Sequence, residues 1–453
     1  MTVPLHFYAI TELAPLIAAG HVSSVDLTKA CLAEIEAHND ALRAFITVTA
    51  EEALAQARER DAEVAAGRCR GPLHGIPVSL KDLIDQRGVP TTAASHVRDG
   101  HIAAGDAPVT ATLREAGAVF VGKTNLHEFA FGTTSDETAY GAVRNPHDQT
   151  RSPGGSSGGS AVAILTGMSV ASIGTDTGGS VRIPAAACGA VGLKPTHGEL
   201  SADGVVPLSR SLDHVGPLAR SVADAWLLYL VMRGTPPSAG ASWAEARRVN
   251  GLRLGVLRPY IHDILDEEVR GRFAESLAWL RQAGAKTVDV AIPHAGDTAP
   301  IYSFTSLPEA AAYHATAVAD HPERYTPNVR LRIEMGRYVL AEDYARAQRG
   351  REVLRAEVDR ALANVDALVL PTLPIPAPPI GAATVEVAGK TESVRNMMLR
   401  LTQLFNVTGH PAISIPCGST SDGLPCGFQI VGRRHDTEAL LAVAAACEPR
   451  VVA

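Results

Sequence analysis

Lysine is scarce in this sequence. Only Lys29, Lys81, Lys123, Lys194, Lys286 and Lys390 occur among 453 residues, while arginine is plentiful. Where arginine is the ordinary surface cation, a lysine inside an apolar stretch needs a reason. A lysine can lose its proton on burial, and an arginine in practice cannot. Cysteine is sparse too. Cys31, Cys69, Cys188, Cys417, Cys426 and Cys447 include no CxxC spacing, and the chain is far too long to need disulfide staples. They read as small buried hydrophobes in a reducing compartment. The first twenty residues, MTVPLHFYAITELAPLIAAG, lack a basic leader and a clean apolar core, so no secretory signal is expected. The most apolar run, Ser160 to Gly174, is broken by Ser, Thr and Gly and is too short for a bilayer, which takes ~20 residues. A cytoplasmic protein without a membrane partner is expected. A formal charge of -7 and a pI near 6.1 argue against a nucleic-acid partner. His127-Glu128 lacks a second metal-spaced histidine, so no zinc or other metal site is expected.

What is present reads as a large globular α/β protein. Apolar residues make up 46% and charged residues 20%, enough to bury a sizeable core. Ser23 with Asp26 resembles a capping box, opening a helix with Leu27, Cys31, Ile35 and His38 on one face. A second helix, Ala50 to Ala66, completes an N-terminal helical layer over about residues 1–66. Strand signals follow at 76–81 and 118–122, with helices expected at 107–116 and 125–131. Thr235 to Asn250 is the clearest break in composition. Strand signals continue in the same style beyond it, at Leu252, Leu254, Val256, 286–292, 367–372, 413–416 and 427–432. We therefore read 235–250 as a surface excursion from one domain spanning 1–453. The alternation of strands and helices implies a layered α/β sheet.

Two glycine-serine segments stand out, SPGGSSGGS from Ser152 and GTDTGGSVRIP from Gly174. A flexible linker is a poor reading of the first, because it runs straight into an apolar helix from Ala161. A phosphate loop is a poor one too, since the Lys-Ser/Thr that must follow is missing. Convergent backbone N–H groups on glycines make an oxyanion hole, and a serine beside them can attack a carbonyl if a base removes its proton. Thr177, Gly178, Gly179 and Ser180 supply donors and nucleophile together, Ser156 a relay, and Lys81 the base. No histidine sits in a clear Ser-His-Asp context, so a Ser-Lys arrangement fits better.

GIPVSLKD from Gly75, PGGSSGGS from Pro153 and GTDTGGSVRIPAAACG from Gly174 resemble the amidase signature family. GLKPT from Gly192, LDHVGPLARS from Leu212, LPT from Leu370 and GHPAISIP from Gly409 extend the resemblance over nearly the whole chain. It implies a mixed, roughly eleven-stranded sheet covered by helices on both faces. It also implies a Ser–cisSer–Lys triad at Ser180, Ser156 and Lys81, acting on a small-molecule amide, carbamate or urea-like C–N bond without a cofactor. A homodimer is left open. Two rival readings are the glutaminase (A) subunit of a tRNA-dependent amidotransferase and a non-catalytic scaffold with the same fold. In the first, an acidic residue that grips glutamine is expected where gap-free alignment places Leu399.

Substrate contacts are expected from Phe131, Gly132, Thr133 and Tyr140, in a pocket walled by 129–140 and 299–340. Leu399, Leu401, Phe405 and Val407 add an apolar wall, so neutral substrates are favoured over glutamine. Arg330 and Arg332 are read as solvated helix residues, with an acid-binding role as the alternative. Asp176 and Arg182 are read as an ion pair holding the loop. Ser157 is read as hydrogen-bonding support and Cys188 as packing. Asp82 either tunes Lys81 or partners another donor, and Lys123 and Lys194 are read as structural.

Overall fold

The computed structural model describes residues 3–235, 248–261 and 263–451. In chain order the strands are β1 (Phe45–Val48), β2 (Pro77–Lys81), β3 (Val119–Thr124), β4 (Ala171–Thr175), β5 (Val191–Lys194), β6 (Val215–Ala219), β7 (Arg253–Val256), β8 (Lys286–Asp289), β9 (Ala367–Pro371), β10 (Thr384–Val387), β11 (Lys390–Ser393), β12 (Ala412–Ser419) and β13 (Pro425–Val431). Eleven of them form one mixed sheet in the order β1-β3-β2-β4-β6-β5-β12-β13-β9-β7-β8, and β10 and β11 form a separate antiparallel hairpin. β2 pairs parallel with both β3 and β4, placing the C-terminal ends of β2 and β4 side by side.

Strands covered on both faces read as continuous apolar runs. β2, β3, β4, β9 and β13 accordingly are buried at every position. Alternation along β3 separates two cores. Val119 and Val121 join one with Ile35, Phe45, Val162 and Ile164, while Phe120 joins the other with Val78, Leu80 and Ile173. On the latter, the helix Glu267–Gln282 buries Val269, Phe273, Leu277 and Leu280, the expected stripe. The mixed α/β fold inferred from the sequence is the fold found.

Some local expectations differ. The N-terminal region holds helices Ile10–Ala18, Ser24–Leu42 and Ala50–Ala65, but also the edge strand β1, which the pattern does not reveal. Ser23 Oγ accepts from the Asp26 N–H at 3.3 Å, and Leu27, Cys31 and Ile35 are buried, yet His38 is exposed beside Glu34. The helix expected over 125–131 is a single 3-10 turn, Glu128–Ala130, with Phe129 at φ 50°. Its backbone donors go elsewhere. The His127 N–H donates to Ser156 O at 3.1 Å and the Phe129 N–H to Ala93 O at 2.9 Å. The excursion at 235–250 falls largely on 236–247, outside the described residues, and the strands before and after it, β6 and β7, share the sheet. Among the described residues no helix is long and apolar enough to cross a membrane.

Candidate active site

Lys81 is the last residue of β2 and is fully buried. Its Nζ donates to Ser156 Oγ at 2.8 Å and to Thr175 Oγ1, at the end of β4, at 2.9 Å. Among the described residues no carboxylate pairs with it. Burial pushes its pKa down from 10.5 to about 7, against the opposing pull of Asp176 and Asp213. Lys123 and Lys194 are equally buried but differently partnered. Lys123 faces Asp82 at 3.2 Å, and Lys194 donates to the carbonyls of His410 (2.5 Å) and Pro195 (3.1 Å). Asp82 also accepts from the Thr92 N–H and hydroxyl. It is a structural partner for Lys123 rather than for Lys81.

The turn that follows β4 is held from behind through its carbonyls. Thr402 Oγ1 donates to Gly178 O (2.6 Å), the Ile183 N–H to Gly179 O (2.6 Å) and the Ser157 N–H to Ser180 O (3.2 Å). Asn406 Nδ2 donates to Asp176 O at 2.9 Å. By contrast, the N–H groups of Thr177, Gly178, Gly179 and Ser180 have no hydrogen-bond partner among the described residues. Buried backbone donors are nearly always paired, so four successive unpaired ones are open to an acceptor from outside the chain. Gly179 sits at φ +140°, and a Cβ there would collide with Thr402 Oγ1. Only glycine permits both the backbone conformation and the close approach.

Asp176 and Arg182 are both fully buried and form the expected pair, with Nη2–Oδ1 2.9 Å and Nε–Oδ2 3.0 Å. Burial alone would raise the Asp176 pKa, but Arg182 and then Lys194 and Asn406 hold it well below the ordinary carboxylate range. Arg182 also reaches Gln429 Oε1 (2.7 Å), Asn406 Oδ1 (2.7 Å) and Thr402 O (3.1 Å), tying the turn to the late part of the chain. Thr177 Oγ1 donates to Asp213 at 2.6 Å. Burial pushes the Asp213 carboxyl up to about 6, against hydrogen bonds from Thr177, Ser209 and Leu208.

Ser156 follows a cis peptide bond from Gly155. Its carbonyl accepts from Ser135 Oγ at 3.1 Å, and Ser157 Oγ donates to Thr175 O at 3.2 Å. Ser180 is 4% exposed, and its Oγ makes no hydrogen bond to a described residue. Lys81 and Ser156 are thus in contact, while Ser180 joins them through the backbone of Ser157. Contacts of this kind commonly tighten only once substrate is bound. Cys188 is buried with its Sγ against Pro153 O at 3.3 Å, and burial raises its thiol pKa, so it packs.

The segment expected to wall the pocket lies against the Ser156 loop. Phe131 and Thr133 are buried, Gly132 presses on the His127 ring, and Ser152 Oγ donates to Thr134 O at 2.7 Å. Tyr140 is half-buried but turns toward His96, with rings 6.0 Å apart, and has no described contact with Lys81, Ser156 or Ser180. Arg330 is solvated and pairs with Glu334 at 3.5 Å, as expected. Arg332 departs from that reading: its Nη1 donates to Phe131 O at 2.8 Å. A methyl group on Gly178 would lie 2.8 Å from both Leu399 Cδ2 and Tyr302 Oη, so these two side chains border the turn.

A sequence model of the amidase family matches residues 26–441. The chain belongs to the amidase family. It is 40% identical to an amidase from Pseudomonas putida over 97% of this chain and 95% of that one. It is also 39% identical to the A-type component of the glutamyl-tRNA(Gln) amidotransferase of Chloroflexus aurantiacus, over 97% and 96%. A crystallised amidase superposes with a TM-score of 0.92 at 37% identity, covering 98% of this chain and 100% of that one. The protein is therefore an amidase-signature hydrolase. Several of its site residues escape sequence reasoning. Thr402, Asn406 and Gln429 lie more than 200 positions from the turn they anchor and carry no local pattern. Asp213 lies in a segment that resembles the family, and only its place beside Thr177 gives it a role.

Proposed function

We propose that this amidase cleaves the C–N bond of a small-molecule amide through an acyl-enzyme on Ser180. The observation that carries the reading is the buried Lys81 amine, whose side-chain partners are the hydroxyls of Ser156 and Thr175. When neutral, Lys81 takes the proton of Ser156 as Ser156 takes that of Ser180. Ser180 Oγ bonds to the carbonyl carbon, and the N–H groups of Thr177, Gly178, Gly179 and Ser180 receive the oxyanion. Ser156 then protonates the leaving nitrogen, recovering its proton from Lys81, and the C–N bond breaks. Water repeats the sequence on the ester, releasing the acid and restoring Ser180. A carbamate or urea-like carbonyl fits the same steps.

The amidotransferase reading has a relative of nearly equal similarity behind it. Leu399 favours the free-standing hydrolase. Its side chain stands against Gly178, so the wall beside the turn is apolar where a glutamine-gripping acid is expected. The test is the purified chain alone against aryl amides, aliphatic amides, carbamates and glutamine, with fluorophosphonate labelling. Amide turnover with labelling that disappears in Ser180→Ala is expected, and losing the nucleophile costs ~10⁶ in kcat. Glutamine as the best substrate would restore the amidotransferase reading. A Ser180→Ala variant that keeps more than a few per cent of activity would refute the nucleophile.

A further inference from the structure

A cavity of about 450 Å³ opens between the helix Thr298–Asp320 and the helix Val394–Leu399. Leu399 lines it and also borders Gly178, so the cavity lies one side chain from the turn that carries Ser180. Three charged residues line it: Glu392, Arg395 and Arg400. Arg400 already stacks on the Tyr260 ring at 5.0 Å. Arg332 already serves Phe131 O and lies 3.8 Å from Glu137. Arg395 differs from both. Its Nε is buried and meets no hydrogen-bond partner among the described residues. Its charge is felt by Tyr302, whose hydroxyl lies beside Gly178, and by Arg332.

A guanidinium that is always charged, with a buried donor unsatisfied, is costly to hold unless an acceptor arrives. A carboxylate is the acceptor that matches its planar fork. We propose that Arg395 is a specificity residue that receives a carboxylate on the acyl portion of the amide substrate. This inference rests on the hydrolase reading above and replaces the expectation of a neutral substrate, which rested on the apolar wall alone. Glu392 on the same cavity would repel a carboxylate from its own side, leaving the Arg395 side as the place where an acid is favoured.

The test compares glutaric acid monoanilide with pentananilide, which carries a methyl group in place of the carboxylate, by release of aniline. The wild-type enzyme should favour the acid in kcat/KM by about 10- to 100-fold, the scale of a charge-assisted hydrogen bond. Arg395→Ala should bring the ratio toward one, mainly through KM for the acid, and Arg395→Lys should keep an intermediate ratio. A purely structural defect would lower both substrates together and leave the ratio standing. A wild-type preference for pentananilide, or a ratio unchanged in Arg395→Ala, overturns the inference while leaving the hydrolase reading intact. Failure of both anilides, together with absence of fluorophosphonate labelling at Ser180, overturns the hydrolase reading and this inference with it.

Discussion

Replacing Lys81 by methionine should destroy activity and yet stabilise the fold. The folded-state pKa of Lys81 is about 7 against 10.5 in the unfolded chain. Between those values the unfolded state holds a proton that the folded state lacks, so stability rises with pH across that window. The penalty is complete below pH 7 and vanishes as pH approaches 10.5. Each pH unit within the window is worth about 1.4 kcal/mol, so the difference between about 7 and 10.5 makes the full penalty roughly 5 kcal/mol below pH 7, and slightly less at pH 7 itself. Methionine has no charge to desolvate and nearly the same volume. It does leave the Ser156 and Thr175 hydroxyls without the amine, which returns about 1–3 kcal/mol of the gain. The absolute difference is therefore smaller than the penalty, but its slope against pH is unaffected. Urea unfolding of both proteins should show Lys81→Met ahead near neutrality. The gap should narrow by about 1.4 kcal/mol per pH unit toward pH ~10. A gap that does not change with pH would mean that Lys81 is charged in the folded protein, and the base assignment would fall. The same titration sets the acid limb of wild-type kcat/KM near pH 7, and Lys81→Arg should be no better than Lys81→Ala because arginine stays protonated.

Asp213→Asn should move that acid limb to lower pH. Asp213 is one of two carboxylates that raise the Lys81 pKa, so removing its charge leaves Lys81 neutral further into the acid range; a limb that stays put or moves upward refutes this coupling. Thr402→Val should remove the 2.6 Å anchor on Gly178 O and lower kcat on the order of 10-fold with little change in KM, read by steady-state kinetics on one amide. Equal kcat in the two proteins would show that the turn holds its shape without that anchor.

The legible parts of this protein are the ones in which one short segment contains its own reason. Ser180 beside three potential oxyanion donors, and a lysine ending an apolar strand, can be read locally. So can the stripe Val269, Phe273, Leu277 and Leu280, because a helix repeats its own period. The segment 125–131 misled because its donors serve Ser156 and Ala93, and no local rule reports a commitment to a distant loop. β1, β10 and β11 are short and mostly not buried, so no apolar run marks them. Arg332 and Arg330 look alike on one helix. The carbonyl of Phe131, 201 positions earlier, distinguishes them.

The Lys81-Asp82 pair shows how adjacency in sequence can mean separation in space. Read as a string, it suggests an ion pair, which would keep the amine charged and useless as a base. At the end of a strand, however, successive side chains diverge. Lys81 turns toward Ser156 and Thr175, while Asp82 turns toward Lys123 and Thr92. Lys123 and Lys81 are buried alike, so burial alone does not make a base. Lys123 has a carboxylate that favours its charged form, and Lys81 has hydroxyls that accept either form. Giving the carboxylate to the neighbouring lysine leaves Lys81 a buried amine that no ion pair holds charged, and desolvation brings its pKa down to about 7.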